Sequence, residues 1–520
     1  MSPLLSFGPN RSRFFTTVIF LPGLALFFCA SYQPLHSTTA SAQISSESSP
    51  LTPLTPQTET VTSYYDALLK VPLIVSQTAI VGVVFNHIIL RRVVQNKMAS
   101  NSSKTVSPTL SQDPNMYLYP LKRLFLILLS CGIAMIVSAI SLFLLQAFNL
   151  SSELAIDVAT TYTILYSTPI GPVWDLRVIT SSVIIVSSIL YYLVEKKRLM
   201  NKDPNSVSNN NSAPQREMRN VGVLQIVLLY IIIISGSISI FSNSMVSHNT
   251  ALSFYPSLAI FMDWLHFMAV SIWLGGLFYI STILLTTIRV TITKNRDTGG
   301  SINKSLKANT LRTASHFLAL LLPYFSLIAT MSLGIIGITG LYMAWIHLHT
   351  AEAIFTSSYG NILVIKLLLV LPMVVLGAYH QIKLHSSLMK VACPNKEGQE
   401  RFKEKINTKI NGMKSSNDLK GSNILRHDPA LKFSKTIKIE SLIGIGVLVA
   451  ASFLTITSPP SISIQELLSG IEGSLEEEAQ RDYVPSFDSF TILAIILAAA
   501  VLSSSVIYFR KSKQQVRNNG

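Results

Sequence analysis

Charge, cysteine and catalytic motifs are all scarce in this 520-residue sequence, and each scarcity excludes something. Charged residues make up 13% of the chain, against roughly 25% in a soluble globular protein. An ordinary water-soluble domain is thereby excluded. Three cysteines, Cys29, Cys131 and Cys393, are scattered with no CxxC pair, so neither a disulfide framework nor a thiolate metal cluster is expected. Cys29 lacks the small residues that precede a lipoprotein cysteine, which argues against lipidation. The short alternating segments of a membrane β-barrel are missing. So are a phosphate-cradling glycine loop, an HExxH helix and any defensible Ser/His/Asp arrangement. The expectation is a protein that is not an enzyme and that holds no nucleotide motif to power a pump by itself.

What is abundant is apolar sequence. Hydrophobic residues reach 49%, and several uninterrupted runs exceed the roughly 20 residues that a membrane helix needs. The fold class is therefore all-α: a polytopic membrane helical bundle. Spans are expected near 71–90, 123–147, 177–194, 221–242, 257–288, 318–345, 361–384, 439–457 and 488–509.

The formal net charge of +15 invites a nucleic-acid reading, but its distribution excludes nucleic acid as a partner. Arg91, Arg92, Lys97, Lys104, Lys122 and Arg123 fill one loop, and Lys196, Lys197, Arg198, Lys202, Arg216 and Arg219 fill the next of the same set. Arg289 to Arg312 repeats the pattern and 383–438 is the most basic segment, while the intervening loops hold almost none. This is the positive-inside asymmetry. It predicts a multi-pass protein of the cytoplasmic membrane with a cytoplasmic C-terminus.

The chain divides accordingly. Residues 1–42 read as a signal peptide or signal anchor: Arg11 and Arg13 precede an apolar run, and Ala40-Ser41-Ala42 is an A-x-A cleavage pattern. Residues 43–70 read as an extracytoplasmic linker and hold no His or Met. Residues 71–242 and 243–460 form two four-helix halves, making an eight-helix core. The second half carries the basic cytoplasmic loop at 387–438. Residues 461–520 add an acidic outer segment, one extra C-terminal span and a basic tail. The halves are linked by a weak repeat: Ser167-Thr168-Pro169-Ile170-Gly171 precedes Arg177 as Thr356-Ser357-Ser358-Tyr359-Gly360 precedes Lys366. Both halves start in the same orientation, as in a parallel repeat. Arg177 and Lys366 are expected to snorkel outward from the starts of their helices.

Asp263-Trp264-Leu265-His266 through Trp273-Leu274-Gly275-Gly276-Leu277 places an acid and a histidine inside one span. Ionisable residues there are costly and point to function. Met262 and His266 lie one turn apart, hence on one helix face, and Met343 and His347 repeat that spacing. Met245 and His248 precede the central span, and His349 follows His347 at the outer exit. A funnel of thioethers and imidazoles suits copper: soft sulfur favours Cu(I), and imidazole accepts either oxidation state. The candidate metal ligands are thus His248, His266, Met262, Met245, Met343, His347 and His349. For each methionine the competing reading is packing, and for each histidine a hydrogen bond within the bundle. Trp264 and Trp273 read as packing residues. His87 and His380, on the inner side, are the pair that would have to ligate a haem, which is disfavoured.

At these residues the chain resembles the copper resistance protein D (CopD) family, from about 71 to 460. The family's D-x-x-H and W-x-G-G-L are present as Asp263, His266, Trp273, Gly275, Gly276 and Leu277. Its T-x-Y-G-x-x-L-x-x-K element is similar to Ser357, Tyr359, Gly360, Leu363 and Lys366, and its T-x-x-G-x-x-W-x-x-R element to Thr168, Gly171, Trp174 and Arg177. Its last core span is similar to Glu440, Gly444 and Leu454-Thr455 through Pro459-Pro460. His380 stands where the family has Asn, and Ser247 replaces the Gly before His248. The resemblance implies copper transport across, or copper handling at, the cytoplasmic membrane, with copper and the lipid bilayer as partners. An import-type permease is the first reading, since inward movement of a cation follows an inside-negative potential. A copper-binding assembly or sensor protein and a b-haem redox protein are the alternatives. No soluble copper-binding domain is fused to the chain, so any extracytoplasmic donor is a separate protein.

Overall fold

The computed structural model describes residues 59–101, 115–168, 171–200, 213–251, 256–285, 303–348, 350–380 and 429–461. All regular structure among the described residues is helical. The helices, in chain order, are α1 (Glu59–Asn101), α2 (Asn115–Leu154), α3 (Val158–Ser167), α4 (Gly171–Met200) and α5 (Ala213–Ser244). They continue with α6 (Pro256–Phe278), α7 (Asn303–Leu348), α8 (Ala353–Thr356), α9 (Ser358–Tyr379) and α10 (Pro429–Leu454). A 3₁₀ turn, His248–Ala251, joins α5 to α6, and a π-helical stretch, Tyr279–Leu284, extends α6.

Eight of these helices, all but the short α3 and α8, are long and apolar enough to cross a membrane. They correspond to the first eight mature spans expected. The ninth expected span, the signal or anchor, the acidic segment 463–487, most of the basic loop and His349 lie outside the described residues. Two boundaries differ from expectation. Helix α1 begins at Glu59, inside the segment read as a linker, because Ala67 is already packed and its carbonyl accepts a hydrogen bond from Ser452 Oγ at 2.6 Å. Helix α10 begins at Pro429, within the end of the basic loop, because Phe433 and Ile437 are buried between its exposed lysines Lys435 and Lys438.

Helices α1 and α6 form the centre. Each packs on the other, α1 also against α2, α5 and α10, and α6 also against α7, α5 and α10. Helix α4 lies along both α2 and α5, and α9 lies along α10, but α7 and α9 make no comparable contact. Burial follows this order: 72% of the apolar stretch of α6 is buried, against 6% for α9. The outward face of α9, with Leu367, Leu368, Leu371 and Val375, is what a lipid-facing helix requires.

The α1–α6 crossing depends on two glycines. A Cβ built on Gly82 would lie 1.9 Å from the Ser271 carbonyl oxygen and 2.5 Å from Gly275 Cα, and one built on Gly275 would lie 2.5 Å from Gly82 Cα. The backbones touch, so dispersion contacts along both chains hold the pair where a hydrophobic drive is absent. Asn86 Nδ2 bridges the crossing, donating to Gly82 O at 2.8 Å and to Ile272 O at 3.0 Å. Gly276 serves the next neighbour: a Cβ there would sit 2.5 Å from the Phe325 ring of α7 and 2.8 Å from Asn86 Nδ2.

Candidate functional site

The 3₁₀ turn marks one end of the bundle, the upper end; Arg91, Glu195 and Arg198 mark the lower end. His248 opens the turn and is half-buried against the backbone of Thr455. Burial first, and the Lys70 charge second, push its imidazole below the ordinary histidine range; the Thr455 hydrogen bond opposes this only in part. The shift favours the neutral ring, the form that ligates metal. Its Nε2 is enclosed and has no hydrogen-bond partner among the described residues.

One residue on, buried Asn249 holds His347: Asn249 Nδ2 donates to Ser247 Oγ at 2.9 Å, and Asn249 Oδ1 lies 3.0 Å from His347 Nε2. An amide oxygen only accepts, so Nε2 carries the His347 proton. The ring also meets the Tyr359 ring edge-on at 5.7 Å between centroids. The turn, the end of α7 and the start of α9 are thus tied together through one histidine. Met245 lies exposed just beyond α5, and Met343 is half-buried one turn before His347.

His266 sits deeper, on α6, ten residues past Pro256 and so about 15 Å along the helix. Its Nδ1 lies 2.9 Å from Thr339 Oγ1 on α7, and that hydroxyl donates to the Ile335 carbonyl at 2.7 Å. With the threonine proton given to Ile335, Nδ1–H is the donor and the lone pair falls on Nε2. Gly340 makes room for the ring: a Cβ there would sit 3.3 Å from His266 Cε1. Met262, one turn above, is half-buried on the same face. Asp263 lies within electrostatic reach of Lys366 and Tyr359 on α9 and close to Ser244 at the end of α5.

Among the described residues the expected ligands therefore form two groups, one around Asn249 and one around His266. Among the described residues no three of His, Cys, Asp and Glu converge as a metal cluster. Trp264 and Trp273 are buried packing residues as expected, with Trp264 Nε1 donating to Ser237 O at 3.3 Å.

One expectation fails. Arg177 does not snorkel. It is 6% exposed, with Nε donating to Ser242 Oγ at 3.2 Å and Nη2 to Asn243 Oδ1 at 3.1 Å, and its guanidinium lies 4.5 Å from the centre of the Trp174 ring. Asn243 in turn donates to Gln77 Oε1 at 2.6 Å, so a polar ladder across α1 and α5 receives the charge more closely than the interface would. His87 and His380 do not face each other as axial ligands. His87 lies between the hydroxyls of Tyr279 (3.2 Å) and Tyr191 (3.1 Å). His380 lies between Thr436 Oγ1 (2.7 Å) and Glu440 Oε2 (3.2 Å). Glu440 was legible only as the acid of the last core span and Thr436 not at all, since the contact that joins Thr436 to His380 spans 56 residues.

No curated protein and no solved structure matches the chain. The family model CopD, Copper resistance protein D, matches residues 319–411, the segment that carries Thr339, Met343, His347, Lys366 and His380. Over that segment the chain is similar to the copper resistance protein D family.

Proposed function

We propose that this protein is an import-type copper permease of the cytoplasmic membrane, with its upper end outside and its C-terminus inside. Copper handling at a membrane is the coarse function that the family carries. The finer reading rests on one observation above all. His266 is held inside an apolar span by Thr339, one turn from Met262, in the tautomer that leaves Nε2 with its lone pair. A hydrogen bond that fixes the ring through its other nitrogen is how metal-ligating histidines are oriented. In this reading His248, Met245, His347, His349 and Met343 gather copper at the outer mouth, delivered by a separate donor protein, and Met262 with His266 takes it into the bundle.

The eight-helix core is read as two four-helix repeats. Gly82 and Gly275 are reciprocal at the central crossing, and Gly171 and Gly360 each sit where a Cβ would meet a preceding carbonyl, at 2.3 and 2.4 Å. Twelve positions before the central glycines stand Lys70 and Asp263; six after the others stand Arg177 and Lys366. The first repeat thus pairs two cations where the second pairs an acid with a base. Like charges repel an incoming cation, which favours the second repeat as the copper path.

The test is copper uptake into proteoliposomes by the wild type, His266→Ala and His248→Ala. Protein-dependent uptake that falls in both variants, with the fold retained, is the expected result. Copper that binds without crossing would replace the permease with a sensor or assembly role.

A further inference from the structure

The lower part of the α9–α10 seam is built unlike the rest of the bundle. Three side chains and two glycines interleave there. Met373 of α9, fully buried, faces Gly444 of α10: a Cβ on that glycine would lie 3.4 Å from Met373 Cε. One turn lower the arrangement reverses, and Glu440 of α10 faces Gly377 of α9, with Oε1 3.8 Å from where a Cβ would stand. At the end of α9, His380 closes the row, with Nδ1 3.2 Å from Glu440 Oε2 and Nε2 2.7 Å from Thr436 Oγ1. Gly444 makes room first for Leu274 of α6, whose Cδ2 would lie 2.9 Å from that Cβ, and then for Met373, while Glu440 meets Gly377 at ordinary contact distance.

Glu440 is 2% exposed and His380 5%. A carboxylate so placed is costly unless paired. Yet Glu440 Oε2 makes no well-formed hydrogen bond among the described residues, for all its closeness to the imidazole. Packing alone does not need an acid here; the adjoining core positions Val447, Leu448 and Ile437 are aliphatic. The pair presents an imidazole nitrogen and a carboxylate oxygen side by side, donors that copper accepts. The donors also follow a useful order. A soft thioether stands higher in the seam, and nitrogen and oxygen stand at its end.

We propose that Met373, His380 and Glu440 form the exit station for copper: Met373 passes Cu(I) down the seam, and His380 Nδ1 with the Glu440 carboxylate holds it at the lower end before release. This rests on the copper reading above and places a second metal site far in sequence from the ligands around His266 and Asn249.

The test uses the full chain in lipid nanodiscs, titrated anaerobically with Cu(I) against a competing chelator. Glu440→Gln keeps the size and hydrogen-bonding capacity of the side chain and removes the charge; Met373→Leu conserves volume; His380→Asn keeps a polar group for Thr436. The expected result is that Glu440→Gln and His380→Asn each weaken one Cu(I) site at least tenfold and leave the others unchanged. Met373→Leu is expected to slow uptake without removing that site. If one variant does not fold, the other two decide. Wild-type binding reproduced in number and affinity by every folded variant would overturn the exit station alone. A wild type that binds no Cu(I) would overturn both this site and the permease reading.

Discussion

Thr339 Oγ1 lies 2.9 Å from His266 Nδ1, beside a backbone hydrogen bond from the ring to Ile336, so the threonine's part can be tested at one atom. Thr339→Val removes the hydroxyl at nearly constant volume. The ring loses one hydrogen bond, a cost of about 1 kcal/mol, too small to unfold the bundle. Its larger effect is on the metal, because the lone pair on Nε2 is no longer fixed in direction or tautomer. Loss of an orienting partner behind a ligand costs about 10–100-fold in affinity. The expected outcome for Thr339→Val is therefore a thermal stability close to wild type and a Cu(I) affinity at least tenfold lower. If the affinity is unchanged, the hydrogen bond does not orient a metal ligand and the reading of His266 as one loses its support.

Helices in lipid gain little from apolar burial against each other, so the α1–α6 pair must be held by closeness. With Gly82 and Gly275 Cα atoms each 2.5 Å from a hypothetical Cβ of the other, Gly275→Leu cannot be absorbed by a side-chain rotation. Overpacking costs about 1–3 kcal/mol where a core can yield, and a backbone contact yields less than a side chain. Gly275→Leu is expected to lower the melting temperature by more than any single histidine variant and to abolish uptake; a fluorescence-monitored melt checks it. A Gly337→Leu control, where a Cβ meets nothing within 4 Å, should fold normally. Of this pair the sequence made only Gly275 visible, beside Gly276 in an apolar span, while eight apolar runs were legible from length and charge alone. What it left hidden were contacts between distant helices. Arg177 looked like a residue near a helix start that would reach for the interface, because Ser242, Asn243 and Gln77 are unremarkable until α1, α4 and α5 pack together. His380 and Glu440 were separately legible, but only the α9–α10 seam puts them 3.2 Å apart.

Across the whole molecule, direction is a question of what drives a cation through a chain that holds no nucleotide motif. The proposed orientation places the basic end, with Arg91, Arg92 and Arg198, inside. Moving one elementary charge through the membrane potential changes its free energy by about 2.3 kcal/mol per 100 mV. At about 1.4 kcal/mol per tenfold, a potential of about 100 mV, negative inside, sustains a roughly 50-fold accumulation of Cu(I) with no other energy source. The bundle need only provide a path, and in the proposed two-repeat reading the opposed charges, Lys70 with Arg177 against Asp263 with Lys366, leave one side of it more hospitable to a cation. Proteoliposomes with the potential set by a potassium gradient and ionophore should take up Cu(I) when the interior is negative. They should stop near equal concentrations when the potential is clamped to zero, and lose copper when it is reversed. Uptake that ignores the potential would mean that copper crosses with a compensating charge, either with an anion or in exchange for a proton. The buried carboxylate Glu440 beside His380 would then be the first group to examine as the carrier of that proton.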